Sequence, residues 1–239
     1  MSDRSRIVTI DGPAGAGKST ISRLLAKRLG FAFLDTGAMY RAVALAAKRR
    51  GVPLDDEGAV AALLNTVDLR LEPVGGGARV FLDGNDVSGE IHTAEMGPAA
   101  SQVSALAPVR QRLTELQRAI ARSGNFVAEG RDMGTVVFPN ADWKFYLDAS
   151  PEERARRRTR QLAEQGEEAD YNAILAQIIE RDRQDANRAL APLRPAEDAV
   201  IIDSSHMSIE QVVEAMLAIV GRSIPIPQQA VEETGNHGR

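Results

Sequence analysis

A chain of 239 residues is long enough to bury one sizeable core, and its length points to one domain with appendages. The formal net charge of −4 argues against a general nucleic-acid or membrane-surface binder, so only local basic clusters need attention. With no cysteine in the chain, disulfides, thiolate metal sites and cysteine nucleophiles are excluded, which fits a cytoplasmic protein.

The chain passes from Met1 through Arg6 straight into an apolar run, without a signal-like h-region, and no apolar run is long enough to span a bilayer. His92, His206 and His237 are scattered without metal-ligand spacing. Ile7, Val8 and Ile10 predict a first strand. Gly12, Pro13, Ala14, Gly15, Ala16, Gly17, Lys18, Ser19 and Thr20 follow, and then a helix with Ile21, Leu24, Leu25 and Leu29 on one face. The full G-x-x-x-x-G-K-[ST] pattern between strand and helix predicts a loop that holds a nucleoside triphosphate. Its glycines let backbone N–H groups turn inward around phosphate oxygens, and the helix presents its N-terminus to the same anion. Lys18 is expected to reach the β- and γ-phosphates and the Ser19 hydroxyl to ligate Mg²⁺.

Phe31 to Leu34 read as a second strand, and Asp35-Thr36-Gly37 turns the chain into a helix carrying Tyr40 and Arg41. A strand-helix-strand start implies parallel pairing, and ligands of such sheets sit at the carboxyl ends of the strands. Asp35, Thr36, Tyr40 and Arg41 are therefore expected on the rim that holds the phosphate loop. Asp35 serves equally as a helix cap.

From Val67 to Ile91 the residues alternate around Asp83-Gly84 after a glycine run at Gly75 to Gly77, a pattern that predicts a small antiparallel β insert. Glu95 to Arg122 reads as helix broken at Gly97-Pro98 and Ala107-Pro108, with Ser101, Gln102 and Arg110 along it. A third strand, Phe126 to Ala128, ends in Glu129-Gly130-Arg131-Asp132, and Trp143 to Leu147 gives a fourth. Ser150-Pro151-Glu152-Glu153 reads as a capping box with proline at the first helical position. The helix it opens carries Arg154, Arg156, Arg157, Arg158 and Arg160, and breaks near Gly166. Such a density of arginine is either a solvated face or, beside a phosphate loop, a set of charges for a transferring phosphoryl group. A helix from about Tyr171 places Arg181, Asp185 and Arg188 on one side, Val200 to Ile202 form a fifth strand, and Ser208 to Gln211 cap a last helix. Beyond about Ser223 the polar, proline-containing sequence reads as a disordered tail.

Together the phosphate loop, DTGAMYR, DVSGEI, EGRDMGTVVFP, LDASPEERARRR and RDRQDANRALAPL closely resemble bacterial cytidylate kinases over about Ile7 to Val220. The resemblance implies an α/β P-loop nucleoside monophosphate kinase fold: a five-stranded parallel sheet flanked by helices, with an antiparallel β insert and an arginine-rich lid. The implied division is residues 1–66, 92–153 and 170–222 for the core, 67–91 for the insert of the monophosphate-binding lobe, 154–169 for the lid and 223–239 for the tail. The implied reaction moves the γ-phosphoryl of Mg·ATP to CMP or dCMP. Ser101, Arg110 and Asp132 match positions that hold the cytosine; Arg41, Arg131 and Arg188 surround the acceptor phosphate with Tyr40 beside it; Arg181 and Asp185 touch the ribose. Thr36 stands in the same acceptor region, keeping the hydroxyl of the serine alternative and adding a methyl. Lys18, Arg131, Arg157, Arg158 and Arg188 are the expected catalytic charges, with Mg²⁺ on Ser19 and Asp35 behind it. The partners expected are ATP and CMP or dCMP alone, for a monomer that binds neither nucleic acid nor membrane.

A guanine-nucleotide switch would carry an N-K-x-D type motif and a transport ATPase an LSGGQ-like stretch, and the sequence has neither. A kinase for another monophosphate or a small metabolite remains the runner-up. The acceptor phosphate that the resemblance implies is already an anionic nucleophile, so no triad or dedicated base is needed, and positioning with charge neutralisation carries the chemistry.

Overall fold

A computed structural model of the chain describes residues 5–74, 77–93 and 95–222. In chain order the elements begin with β1 (Ile7–Asp11), α1 (Lys18–Leu29), β2 (Ala32–Asp35), α2 (Thr36–Arg49) and α3 (Glu57–Leu64). Then come β3 (Leu69–Val74), β4 (Gly77–Leu82), β5 (Asn85–Asp86), α4 (Met96–Val103), α5 (Ala107–Ile120) and β6 (Phe126–Gly130). The chain continues with β7 (Trp143–Asp148), α6 (Pro151–Glu164), α7 (Tyr171–Asn187), β8 (Val200–Asp203) and α8 (Ile209–Val220). The expected tail and the glycines Gly75 and Gly76 lie outside the described residues.

Five strands form one sheet in the order β2-β6-β1-β7-β8, every neighbouring pair parallel. Both faces are covered, which is why the strands read as nearly continuous apolar runs. Val8, Ile10, Phe33, Val127, Phe145 and Leu147 pack with α1 and α8 on one face. Leu34, Phe126 and Ala128 pack with α2, α5 and the insert on the other. Alternation turns Thr9, Asp11, Lys144 and Tyr146 toward this second face, so the middle of the sheet carries a polar strip there, and Thr9, Asp11 and Lys144 in it are buried. Asp11, Asp35 and Gly130 all end strands on one rim, with Asp11 beside Gly130 and Asp35 beside Glu129 in register. The chain leaves β1 through Gly12, where a Cβ would stand 2.0 Å from the Leu147 carbonyl oxygen, so no other residue passes the end of β7 this closely.

β3, β4 and β5 form the separate antiparallel sheet anticipated as an insert. Asp83 and Gly84, at φ of 50° and 80°, make the tight turn between β4 and β5. Arg49–Glu90 and Arg50–Asp83 ion pairs tie the insert to the end of α2.

Some details depart from the sequence reading. Helix α3, capped by Asp56 on the Ala59 N–H, was not anticipated, nor was the five-residue π turn Met133–Val137. The second strand runs Ala32–Asp35, and the third, fourth and fifth strands extend to Gly130, Asp148 and Asp203. Leu24 is 38% exposed, on the edge of the apolar face of α1 where a core position was expected. Ser150 caps Glu153 N at 3.2 Å, but the Glu153 carboxylate turns to Arg156 and Arg157, so the box is only half closed. The Ser208 box closes from both sides. Arg188 caps α7 and does not continue its face.

Candidate functional site

One cleft of about 900 Å³ runs along the carboxyl rim of the sheet. Of the residues singled out from the sequence for ATP, acceptor or Mg²⁺, all except Gly12 and Pro13 line it, whereas Gln102 and Arg156 do not. Basic side chains outnumber acidic ones in its walls although the chain as a whole is acidic. A concave, locally cationic site of this size suits a polyanion.

At one end lies the phosphate loop. Gly17, at φ 91°, precedes α1, and its geometry leaves the first amides of the helix facing the cleft. Lys18 is buried, and its Nζ donates 2.7 Å to the Pro13 carbonyl, folding back over the loop. Burial and the Arg131 charge push Lys18 below the ordinary lysine range, opposed by Glu129. Burial and then Asp35 push Glu129 up from the usual carboxylate range, opposed by Lys18, Ser19 and Arg131. Asp35 caps α2 through the Ala38 N–H at 2.9 Å and pairs with Arg41 at 3.1 Å. The Ser19 hydroxyl lies near Glu129, whose Oε1 has no hydrogen-bond partner among the described residues. Two carboxylates that repel each other beside a loop hydroxyl form an oxygen-rich mouth of the kind a hard divalent cation relieves. No group of three His, Cys, Asp or Glu side chains with metal-holding geometry occurs among the described residues.

At the other end, Arg110 and Asp132 form a buried ion pair through one carboxylate oxygen, Oδ2. Arg110 also donates 3.2 Å to the Ser104 carbonyl and lies 5.9 Å from the centre of the Tyr40 ring. Burial pushes the Tyr40 hydroxyl up to about 12, and it has no bond partner among the described residues. Ser101 lines the adjoining wall. Thr36 is engaged differently from the expectation of direct ligand contact: its hydroxyl donates 2.6 Å to the Glu129 carbonyl, pinning the end of β6 to α2.

Between the two ends stand Arg131, just past β6, Arg181 of α7 and Arg188 at its C-cap. Arg131 Nε donates 3.0 Å to Asp185, and Arg188 donates 3.0 Å to the Ser104 hydroxyl. Burial would raise Asp185, yet Arg131, Arg188 and Arg181 together hold it below the usual carboxylate range. Burial and the Arg131 charge push Arg181 down to about 10, leaving it protonated at neutral pH. Arg41 Nε, Arg181 Nε and Arg188 Nη2 are buried donors without a hydrogen-bond partner among the described residues. Buried donors left open at the centre of a cleft point to an absent acceptor of several hydrogen bonds.

The arginines of α6 divide into two kinds. Arg154 is 2% exposed and donates to the Ala149 carbonyl at 2.8 Å, the Ala14 carbonyl at 3.1 Å and Asp182 at 3.0 Å. Arg157 donates 2.6 Å to the Ser204 carbonyl and 3.2 Å to its hydroxyl. Arg158 donates to Gln161 one turn ahead at 2.9 Å, its sole hydrogen bond among the described residues, and lines the cleft. Sequence reading did not single out Asp11, Ser104, Asp182 or Ser204 as site residues, noted Glu129 at the end of its strand without a role, and grouped Arg154 with the other arginines of α6. Asp11 and Ser204 sit at or just past carboxyl ends of strands, and that rule could have found them.

A family model described as cytidylate kinase matches residues 8–222. A cytidylate kinase of Vibrio cholerae serotype O1 is 51% identical over 220 residues, 92% of this chain and 98% of that protein. One of Geobacter sp. strain M21 is 53% identical over 210 residues, 88% of this chain and 90% of that protein. One of Pasteurella multocida strain Pm70 is 48% identical over 220 residues, 92% and 97% respectively. No helix among the described residues is long and apolar enough to cross a membrane.

Proposed function

The chain belongs to the cytidylate kinase family, and on that premise we propose that it transfers the γ-phosphoryl group of ATP to CMP or dCMP, giving ADP and CDP or dCDP. The observation that carries the reading is a single cleft with a phosphate loop at one end and a buried Arg110–Asp132 pair at the other.

The loop amides and Lys18 take the donor phosphates. The acceptor phosphate lies among Arg41, Arg131, Arg188 and the open donor of Arg181, where planar guanidiniums bind it by two parallel bonds. An acceptor phosphate oxygen attacks the γ-phosphorus in line as the bond to the β,γ-bridging oxygen breaks, and ADP leaves with that electron pair. No proton need be removed from the nucleophile. Lys18 and the arginines hold the two anions at attacking distance and neutralise charge spread over the transferring group. Arg158 from α6 supplies the same neutralisation from the donor side, and Arg157 anchors the loop after β8 against it. Ser19, with Glu129 and Asp35 behind it, would hold Mg²⁺, which when bound supplies further charge neutralisation on the phosphates.

Base choice follows from the unused oxygen of Asp132. An ionised carboxylate only accepts hydrogen bonds, so it suits the cytosine amine and repels the oxygen that uracil carries in its place, while Arg110 and Ser101 donate to the ring acceptors. Arg181 and Asp185, one helical turn apart, flank the ribose.

The test is ADP formation with a panel of acceptors, repeated with Asp132→Asn. CMP and dCMP should give acceptor-dependent ADP, and Asn should lower the CMP-to-UMP ratio of kcat/KM by about 1–3 kcal/mol, the scale of one base contact. Equal turnover of unrelated monophosphates or sugars by the native protein would sink the assignment, and an unchanged ratio would remove Asp132 from base reading.

A further inference from the structure

Asp11 closes β1, lies outside the phosphate-loop pattern and does not line the cleft, yet both of its oxygens are committed. It is 4% exposed; Oδ1 accepts from Met133 N and Oδ2 from Gly134 N, each at 2.8 Å. Those two amides open the π turn Met133–Val137, where an N-terminal turn has no partner of its own for them. The residues just before them are Arg131 and Asp132. On its other side Asp11 is bonded covalently to Gly12, whose backbone is pressed against β7. One carboxylate therefore spans from the start of the donor loop to the backbone that carries two acceptor-site residues, 122 positions along the chain.

A second contact holds the same turn. A Cβ at Gly134 would stand 3.0 Å from the Thr9 hydroxyl and 3.2 Å from Lys144 Cδ, so the turn lies directly on the polar strip of β1 and β7. An aspartate buried under a sheet is most simply a structural cap. Here the capped amides adjoin the arginine and carboxylate that face the substrate, so their placement becomes a matter of function.

We propose that Asp11 is a positioning residue for the acceptor: its bonds to Met133 and Gly134 set where Arg131 and Asp132 stand relative to the phosphate loop, and thereby set selection of the cytosine nucleotide. The proposal rests on the reading of Asp132 given above. Asparagine at this position keeps the size but offers one acceptor oxygen and turns an NH₂ toward the second amide, so donor meets donor and the turn must move away. A misplacement of about 1 Å in a reacting constellation costs up to roughly 10²-fold in rate.

Steady-state kinetics with CMP, UMP and ATP, alongside thermal melting, should be run on Asp11→Asn, Gly134→Ala, Asp132→Asn and the double variant Asp11→Asn/Asp132→Asn. Asp11→Asn is expected to raise KM for CMP about tenfold or more, to leave KM for ATP within about twofold, and to lower the CMP-to-UMP ratio about tenfold. Gly134→Ala presses the turn off the same polar strip, against Thr9 and Lys144, with the Asp11 carboxylate intact, and should give the same split; it decides the matter if Asp11→Asn does not fold. Adding Asp11→Asn to Asp132→Asn should lower the ratio no further, because both act through one contact. Equal rises in KM for ATP and CMP, or a lowered melting temperature with native KM for CMP and native ratio, would overturn the proposal. If Asp132→Asn itself leaves the ratio unchanged, the base reading has failed, and Asp11 is then judged by the split between the two KM values, which Arg131 still carries.

Discussion

Lys18 and Glu129 are both buried in the ligand-free cleft, and each has been moved from its ordinary titration range in the direction that favours neutrality. A nucleotide changes the field on both. Its phosphates attract the proton of Lys18, raising a pKa that burial had lowered, and they raise Glu129 further by repulsion between like charges. The two effects have the same sign. Binding of Mg²⁺-free ATP near pH 8 should therefore take up protons, which calorimetry in two buffers of different ionisation enthalpy measures directly. Lys18→Met should reduce the uptake; proton release by the native protein, or an uptake untouched by the substitution, would contradict this account. If Lys18 turns its charge to the transferring group as proposed, Lys18→Ala should also lower turnover by about 10²-fold or more, the usual scale for loss of one such donor, with native circular dichroism. Activity close to native in a folded variant would remove Lys18 from the mechanism.

At the scale of elements, α6 shows why charge density in a sequence says little about what each charge does. Arg154 sits against the backbone of the phosphate loop and reaches Asp182 of α7, whereas Arg158 reaches only along its own helix. Truncating Arg154 strands Asp182 and leaves two carbonyls unbonded, so Arg154→Ala should cost about 3 kcal/mol of stability. Arg158→Ala should cost less than about 0.5 kcal/mol, as an exposed pair does, and lose turnover instead. Urea unfolding and kcat on the two variants check this; equal stability losses would mean that α6 carries one kind of arginine. The phosphate loop, the parallel sense of its first strands and the β insert were legible because fixed spacing and alternation encode them locally, whereas the expected pairing of β1 with β2 gives way to β6, which enters between them from about 90 residues further along the chain. The division of labour among Arg154, Arg157 and Arg158 was not, since it depends on which carbonyls α6 meets from Ala14 and Ser204, far away in the chain. Asp11, Asp132 and Thr36 teach the same lesson. Their residue types announce a rim, but only the fold shows that Thr36 and Asp11 bond backbone while Asp132 pairs with Arg110 and faces the cleft.

Across the whole molecule, the two apolar cores on the faces of the sheet and the attachment of α7 differ in kind. Among α7 residues only Ile178 and Asp185 are buried, and the helix is held through Arg154–Asp182, Arg131–Asp185 and contacts with α6. An element docked by charge with little apolar burial opens at low free energy, and on the proposed placement of the acceptor phosphate the Arg131–Asp185 pair is the one that substrate perturbs. On the proposed placement, an acceptor phosphate among Arg131, Arg181 and Arg188 would give α7 a further anchor and favour the docked arrangement by its differential affinity. Amide hydrogen exchange should find α7 and the second half of α6 the least protected helices of the ligand-free protein, well below β1 and β6. Adding ADP with CMP, a pair that cannot react forward, should raise protection of α7 about tenfold or more and leave β1 and β6 unchanged, since those strands open only with the global fold. ADP alone should protect the loop and α1 but leave most of α7 exchanging as before. Uniform protection of all helices by ADP alone would mean that α7 is not coupled to the acceptor site.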